Sequence, residues 1–320
     1  MTMPALEPQE RQLLAQLVLD WLAQRSGRLL TPPQVAPDAT VRARSGDDAI
    51  AIAVEPLNSG AEPAGWRAAL DRFAARLEVS GEGGVLIWLP PGAAPPEEEP
   101  AATTAVMAVQ TAIDATAPGQ SNDALLPIRI GLHKREASGA YVSAFGGLAP
   151  LWAQFTDRVQ GYFQIDSTAL HRLSEEEALV HALIERIVEA SAGMEVGETR
   201  GVEAEDRWRV QRLRGGHGCA VVAVPPQDDT ESGAPLRRRL RTVVRDAGEQ
   251  LAGENAALRA LALCAHYPTL DQEQAGPALR GQDPALFAGL DLIVLLADGG
   301  VKLLLDLTRK PLAQPRATAR

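Results

Sequence analysis

Cysteine is nearly missing from this chain, with two in 320 residues, too few for a disulfide framework. The cores must therefore hold by packing alone, and a reducing compartment is expected. Aromatic residues are almost as scarce, at 4%, so Leu, Val, Ile and Ala have to fill the interior. No apolar run is long enough to cross a bilayer. The best candidate, residues 290–307, is interrupted by Asp291, Asp298, Lys302 and Asp306. The first ten residues hold Pro4, Glu7, Pro8 and Glu10 but no basic flank followed by an apolar stretch. A secretory signal is not expected, and the cytoplasm is the expected location. Glycine-rich phosphate loops, nucleophile elbows and HExxH helices are all absent. Positive charge is in deficit too: 31 basic against 41 acidic side chains give a net charge of −10. Such a surface repels phosphate, which disfavours membranes and limits nucleic acid to places where basic residues cluster.

What remains is a globular α/β pattern, with 46% hydrophobic residues and length enough for two ordinary domains. Leu14, Leu17, Val18 and Trp21 recur at helical spacing, widened by Leu13 and Leu22, with Gly27 placed to end the helix. Two strands follow around Ser45-Gly46-Asp47-Asp48. A helix is expected on Trp66, Leu70, Phe73 and Leu77, and then a buried strand from Val85 to Leu89. An acidic, proline-rich loop follows, and a helix over 103–115. A hairpin is expected to turn at Ser138-Gly139, with 146–173 left irregular. Ser174 to Glu177 reads as a capping box opening a second strong helix. The same order then returns: strands at 208–213 and 219–224, a helix at 236–251, a strand at 258–264 and a hairpin turning at Asp298-Gly299-Gly300.

This return suggests an internal duplication. Shifted by 170 residues, Arg42, Arg44, Gly46, Ala53, Val54 and Pro56 fall on Arg212, Arg214, Gly216, Ala223, Val224 and Pro226. Shifted by 166, the apolar stripe of the first helix falls on Leu179, Val180, Leu183, Ile184, Ile187 and Val188, and Gly27 on Gly193. The expectation is two tandem modules with mixed sheets, each running helix, antiparallel strands, helix, strand, hairpin. They would occupy residues 1–147 and 174–310, with an aromatic-rich connector at 148–173 and a basic, frayed tail at 311–320.

The ordering resembles the restriction-endonuclease-like core, and less closely the secretion-chaperone fold. Nucleases of that superfamily carry a metal-binding Asp on one strand and an acid-x-Lys triplet on the next. Here Asp38, Asp48 and Glu55 supply acids, but the triplet position reads Glu55-Pro56-Leu57 and its counterpart Pro225-Pro226-Gln227. Neither holds a lysine. The resemblance therefore implies two catalytically degenerate copies.

Four groups of residues are candidates for a site. Asp38, Asp48 and Glu55 would suit a divalent cation, although Asp48 lies in a turn that favours acids for backbone reasons. Arg237, Arg241 and Arg245 share one helix face, and Arg42, Arg44, Arg212 and Arg214 lie on the strands before it. They would grip phosphates or an acidic partner through forked guanidinium contacts, or simply pair with local acids. His217, Cys219, Cys264 and His266 contain both cysteines and would be a Cys₂His₂ zinc set if they converged; cysteines inside apolar strands are more often buried hydrophobes. Phe145, Trp152, Phe155, Tyr162 and Phe163 hold five of the thirteen aromatics and would wedge the modules together or form a partner patch. With no complete catalytic set, the expectation is a non-enzymatic interaction or scaffold protein without cofactor, whose partner is another protein or a second copy. The alternative is a nucleic-acid-processing protein of nuclease-like fold that uses the arginine-rich helix.

Overall fold

The computed structural model describes residues 6–57, 64–224, 234–265, 278–279 and 282–308. In chain order the elements are α1 (Pro8–Ser26), β1 (Gln34–Val35), β2 (Val41–Ser45), β3 (Asp48–Leu57), α2 (Trp66–Ala74) and β4 (Val85–Trp88). Next come α3 (Ala101–Ala115), β5 (Ser121–Glu136), β6 (Ala140–Gly146), α4 (Ala153–Thr156), β7 (Gly161–Ser167) and α5 (Glu177–Ser191). The chain closes with β8 (Thr199–Arg212), β9 (Cys219–Val222), α6 (Ala234–Ala252), β10 (Leu258–Ala265), β11 (Leu292–Ala297) and β12 (Gly300–Asp306). This is a mixed α/β chain with two mixed sheets. No described helix is long and apolar enough to cross a membrane.

The compact units do not follow chain order. One holds residues 1–95, 110–122 and 209–320; the other holds 96–109 and 123–208. The division differs from the linear one expected above, because the strands that meet are far apart in sequence.

In the first unit, β1-β2-β3 form an antiparallel meander, β3 runs parallel to β10 and β10 to β11, and β12 closes the sheet antiparallel. Both faces of β3 are covered. Ile50, Ile52 and Val54 pack toward α1, while Ala51 and Ala53 pack toward Leu240, Val243 and Ala247 of α6. That explains why this strand reads as a continuous apolar run and not as an alternation. On its other side α1 meets Leu86 and Trp88 of β4 and Ala220 and Val222 of β9. Buried from two directions, α1 carries more than one apolar stripe, and Gly27 ends it with a left-handed φ of 68° as expected.

Two strand–helix–strand steps, β3–α2–β4 and β9–α6–β10, exchange strands within this unit. β3 takes β10 as its parallel neighbour and β9 takes β4, so Ile52 faces Ala260 while Val222 faces Trp88. The helices are exchanged in the same sense, α6 packing over β3 and α2 over β9. The two strands joined by α2, β3 and β4, therefore lie in different sheets. The expected hairpin of the second module does not form. β4 inserts between β8 and β9, and Val85 pairs with Arg212 on one side and Cys219 on the other. Arg212 and Arg42 are thus not equivalent, despite the matching sequence.

In the second unit the strand order is β6-β7-β5-β8. The hairpin expected at Ser138-Gly139 is replaced by the same device: β7, expected to be irregular, lies between β5 and β6, antiparallel to the first and parallel to the second. Phe155 and Phe163 sit in this unit's own core with Ile130, Leu132, Leu183 and Ile187. The segment 148–173 is thus part of a folded unit and not a connector. Leu183, Ile184 and Ile187 of α5 face this core, while Leu179, aligned above with a core residue of α1, is exposed. The capping box does not form: α5 starts at Glu177, and Ser174 Oγ accepts from Glu176 N, 3.1 Å away, before the helix begins.

Candidate functional site

At the carboxyl end of β3, charged groups are buried against α1. Arg11, 6% exposed, donates to Val54 O at 2.6 Å and lies 3.6 Å from Glu55 Oε1. Glu10, 4% exposed, pairs with Arg67 Nη1 at 2.9 Å. Burial raises the Glu55 carboxyl above the usual carboxylate range, while Arg11 opposes the shift and Asp246 adds to it. Each charge has an internal counterpart, so the cluster acts as a closed tie between α1 and the sheet.

The other acids do not join it. Asp38 Oδ1 accepts from Thr40 N and its Oδ2 lies 3.1 Å from Arg42 Nη2. Asp48 pairs with Arg28 at 3.2 Å at the start of β3, seven residues and therefore about 23 Å from Glu55 along an extended strand. The candidate cation triad is dispersed. Among the described residues no group of three or more His, Cys, Asp or Glu stands close enough to hold a metal ion. Of the zinc candidates, His217 is exposed before β9 and Cys219 Sγ donates to Ala74 O at 3.5 Å. Cys264 is fully buried in β10, a strand of the other sheet, and His266 lies outside the described residues. Burial raises both thiols. Pro225-Pro226-Gln227 also lies outside the described residues.

The candidate arginines differ in what surrounds them. Arg42 is held by Glu254 at 2.5 Å and by Asp38; it pulls the Glu254 carboxyl down, while the Asp38 carboxyl is lowered first by the Thr40 N–H and then by Arg42. Arg44 donates to Asp47 O at 3.1 Å. Arg212, 9% exposed, donates to Thr116 O and Ser80 O, because β8 turns its side chain inward. Arg214 is exposed beyond the end of β8. On α6, Arg237, Arg241 and Arg245 are exposed as the spacing predicted. Arg241 donates to Gln282 Oε1 at 3.1 Å, and Arg245 pairs with Asp246 at 2.8 Å.

At the opposite ends of the same strands lies a cleft of about 930 Å³. Leu22, Ile50, Leu258 and Phe287 line it, and the Arg28–Asp48 and Arg259–Asp291 pairs stand on its wall.

The second unit holds two features that sequence reasoning missed. Asp206, 3% exposed, accepts from His171 N at 2.9 Å, Arg172 N at 2.8 Å, His171 Nδ1 at 3.0 Å and Trp208 Nε1 at 3.3 Å. Because an ionised carboxylate only accepts, Nδ1 is the ring nitrogen that carries the proton. Nothing at a separation of 35 residues marks such a pair in sequence.

The other feature is β6, which among the described residues is the edge strand of its sheet. It contains no charged residue and no proline, the devices by which edges are normally kept from pairing. Val142 faces the core, while Tyr141 and Phe145 are 52% and 49% exposed on the opposite face. Tyr141 also stacks on Tyr162 of β7 with centroids 5.0 Å apart. The visible signal was the alternation in 161–167, where Gly161, Phe163, Ile165 and Ser167 are buried; that period of two makes β7 a strand and pushes β6 to the margin.

No family model, no curated protein and no solved structure matches this chain.

Proposed function

We propose that the chain is a non-enzymatic interaction protein, a scaffold or subunit working in the cytoplasm, whose second unit makes its contact through the open edge of β6. The observation that carries this reading is an uncharged edge strand presenting two half-exposed aromatics on one face. Main-chain donors and acceptors on such an edge give affinity, and the alternate side chains give selectivity. The candidate acids support it as well, since Asp38, Asp48 and Glu55 are each engaged by an arginine of the same chain. The exchanged strand–helix–strand steps, with Ala53-Val54 and Ala223-Val224 at matching places, support two copies of one module. A degenerate restriction-endonuclease-like ancestry is compatible with Glu55-Pro56-Leu57 at the triplet position.

The test places a photo-crosslinking phenylalanine analogue at Phe145 in cells, with Arg28 as the control position. Protein adducts at 145 and not at 28 are expected; equal yields at both would overturn the reading.

Exposed Arg237, Arg241 and Arg245 on α6 favour a second reading, nucleic-acid binding. A gel shift with oligonucleotides separates the two. A shift that weakens with salt and disappears when the three become Glu would replace the scaffold reading. Cleavage with Mg²⁺ or Mn²⁺ that Glu55→Gln abolishes would make the chain a nuclease.

A further inference from the structure

We infer that the partner of β6 is β6 of a second copy of this chain, paired antiparallel about Ser143; this rests on the reading of β6 as a contact edge. The first support is the direction of the backbone groups. Gly161 N donates to Gly139 O, and Ala140 is in register with Gly161. In a parallel ladder alternate residues turn their N–H and C=O to the neighbour, so Tyr141, Ser143 and Phe145 bond toward β7. Ala140, Val142 and Ala144 turn theirs to the open edge.

The second support is that the strand is complementary to itself. With Ser143 on a twofold axis, Val142 of one copy meets Ala144 of the other. Those two residues carry outward donors and acceptors, so the two equivalent pairs exchange four hydrogen bonds. Tyr141 then stands opposite Phe145 of the other copy, twice, at positions without hydrogen bonds, where facing side chains come closest. Each pair joins two aromatics that are half exposed in one copy, and aromatic pairs attract beyond what their buried area gives. Pairing one step out of this register would set Tyr141 and Phe145 against Ala144 and Ala140 in one direction, or against Gly146 and Val142 in the other, so the aromatics select the register. A closed twofold contact of this kind satisfies both edges and does not propagate.

The size of the contact sets its strength. One short strand and two aromatics per copy make an interface below about 1,200 Å², so the dimer is expected to dissociate at roughly 1–100 µM.

Sedimentation of the purified full chain from roughly 1 to 300 µM, bracketing that range, tests this. The wild type is expected to pass from monomer to dimer. Phe145→Lys removes both Tyr141–Phe145 contacts and sets a charged ammonium opposite each Tyr141 ring's strand position, and is expected to keep the chain monomeric throughout. Ala144→Pro removes an outward N–H without touching the β7 ladder and is expected to do the same. Circular dichroism confirms that both variants are folded. Ser143→Cys in a Cys219→Ala background puts two thiols at Cα atoms about 4.5 Å apart, within disulfide reach, so oxidation is expected to link two copies. Ala144→Cys, on the core face and off the axis, is expected not to link.

A wild type that stays monomeric at the top concentration overturns the second copy as partner. So does a folded Phe145→Lys or Ala144→Pro chain that dimerises as the wild type does, or a linked Ala144→Cys with an unlinked Ser143→Cys. The interaction reading is judged apart from this: adducts at position 145 to a different protein keep it, and equal adduct yields at 145 and 28 remove it.

Discussion

Asp206 Oδ2 and His171 Nδ1 stand 3.0 Å apart in the second unit, while the other carboxylate oxygen collects two successive backbone N–H groups. The carboxylate ties the segment after β7 to β8. Asp206→Ala leaves both N–H groups without that acceptor and is expected to cost roughly 2–4 kcal/mol in urea unfolding. His171→Ala removes one of four contacts and is expected to cost about 1 kcal/mol. Equal losses would show that the ring, and not the carboxylate, organises the segment.

Arg212 and Arg237 make a second contrast. Arg212 is buried with its guanidinium donating to two carbonyls, whereas Arg237 is exposed. Arg212→Ala is expected to destabilise the fold by roughly 2–3 kcal/mol, and Arg237→Ala to stay within about 0.5 kcal/mol of wild type. Thermal and urea melts of the two variants check this.

Glu55 is expected to give a pH signature of known sign. Burial raises its carboxyl above the unfolded value, so folding favours the protonated form. Its contribution is fully present below the unfolded carboxylate pKa and is lost as pH rises through the raised folded value. Glu55→Gln stays neutral at every pH. The variant is therefore expected to match wild type in acid and to gain on it toward neutral pH, followed by urea midpoints across that range. A variant less stable at neutral pH than in acid, relative to wild type, would mean that the Arg11 contact outweighs burial.

The two thiols are expected to react slowly and unequally. Cys264 is fully buried and Cys219 partly so, and burial raises both above the usual thiol value. Alkylation followed by mass spectrometry is expected to label Cys219 alone in the native chain, faster at alkaline pH, and Cys264 only after unfolding.

Elements whose signals are local were legible in the sequence. The repeat of Leu14, Leu17 and Val18 with Gly27 marks α1 and its end, and the hairpins β2–β3 and β11–β12 turn at Gly46 and at Asp298-Gly299 as the residues indicate. The two expected hairpins that failed share one cause. β7 enters between β5 and β6, and β4 between β8 and β9, and a strand arriving from elsewhere leaves no mark on the turn it displaces. The sites follow the same division. The α6 arginines face solvent because helical spacing sets a face, whereas the inward turn of Arg212 and the meeting of Asp206 with His171 depend on pairing between distant segments. The matching letters at 42–56 and 212–226 mark a hairpin in the first stretch only, where β2 pairs with β3; in the second, β4 stands between the two strands.

That reciprocal crossing has a consequence for biosynthesis. While the ribosome is still short of residue 258, β3 has no parallel companion, and β4 waits for residue 219 before its own arrives. Neither layer around α1 can close before the carboxyl-terminal third emerges. A nascent chain stalled at residue 200 would therefore expose the apolar sides of β3 and β4 together, and would be a natural client for chaperones.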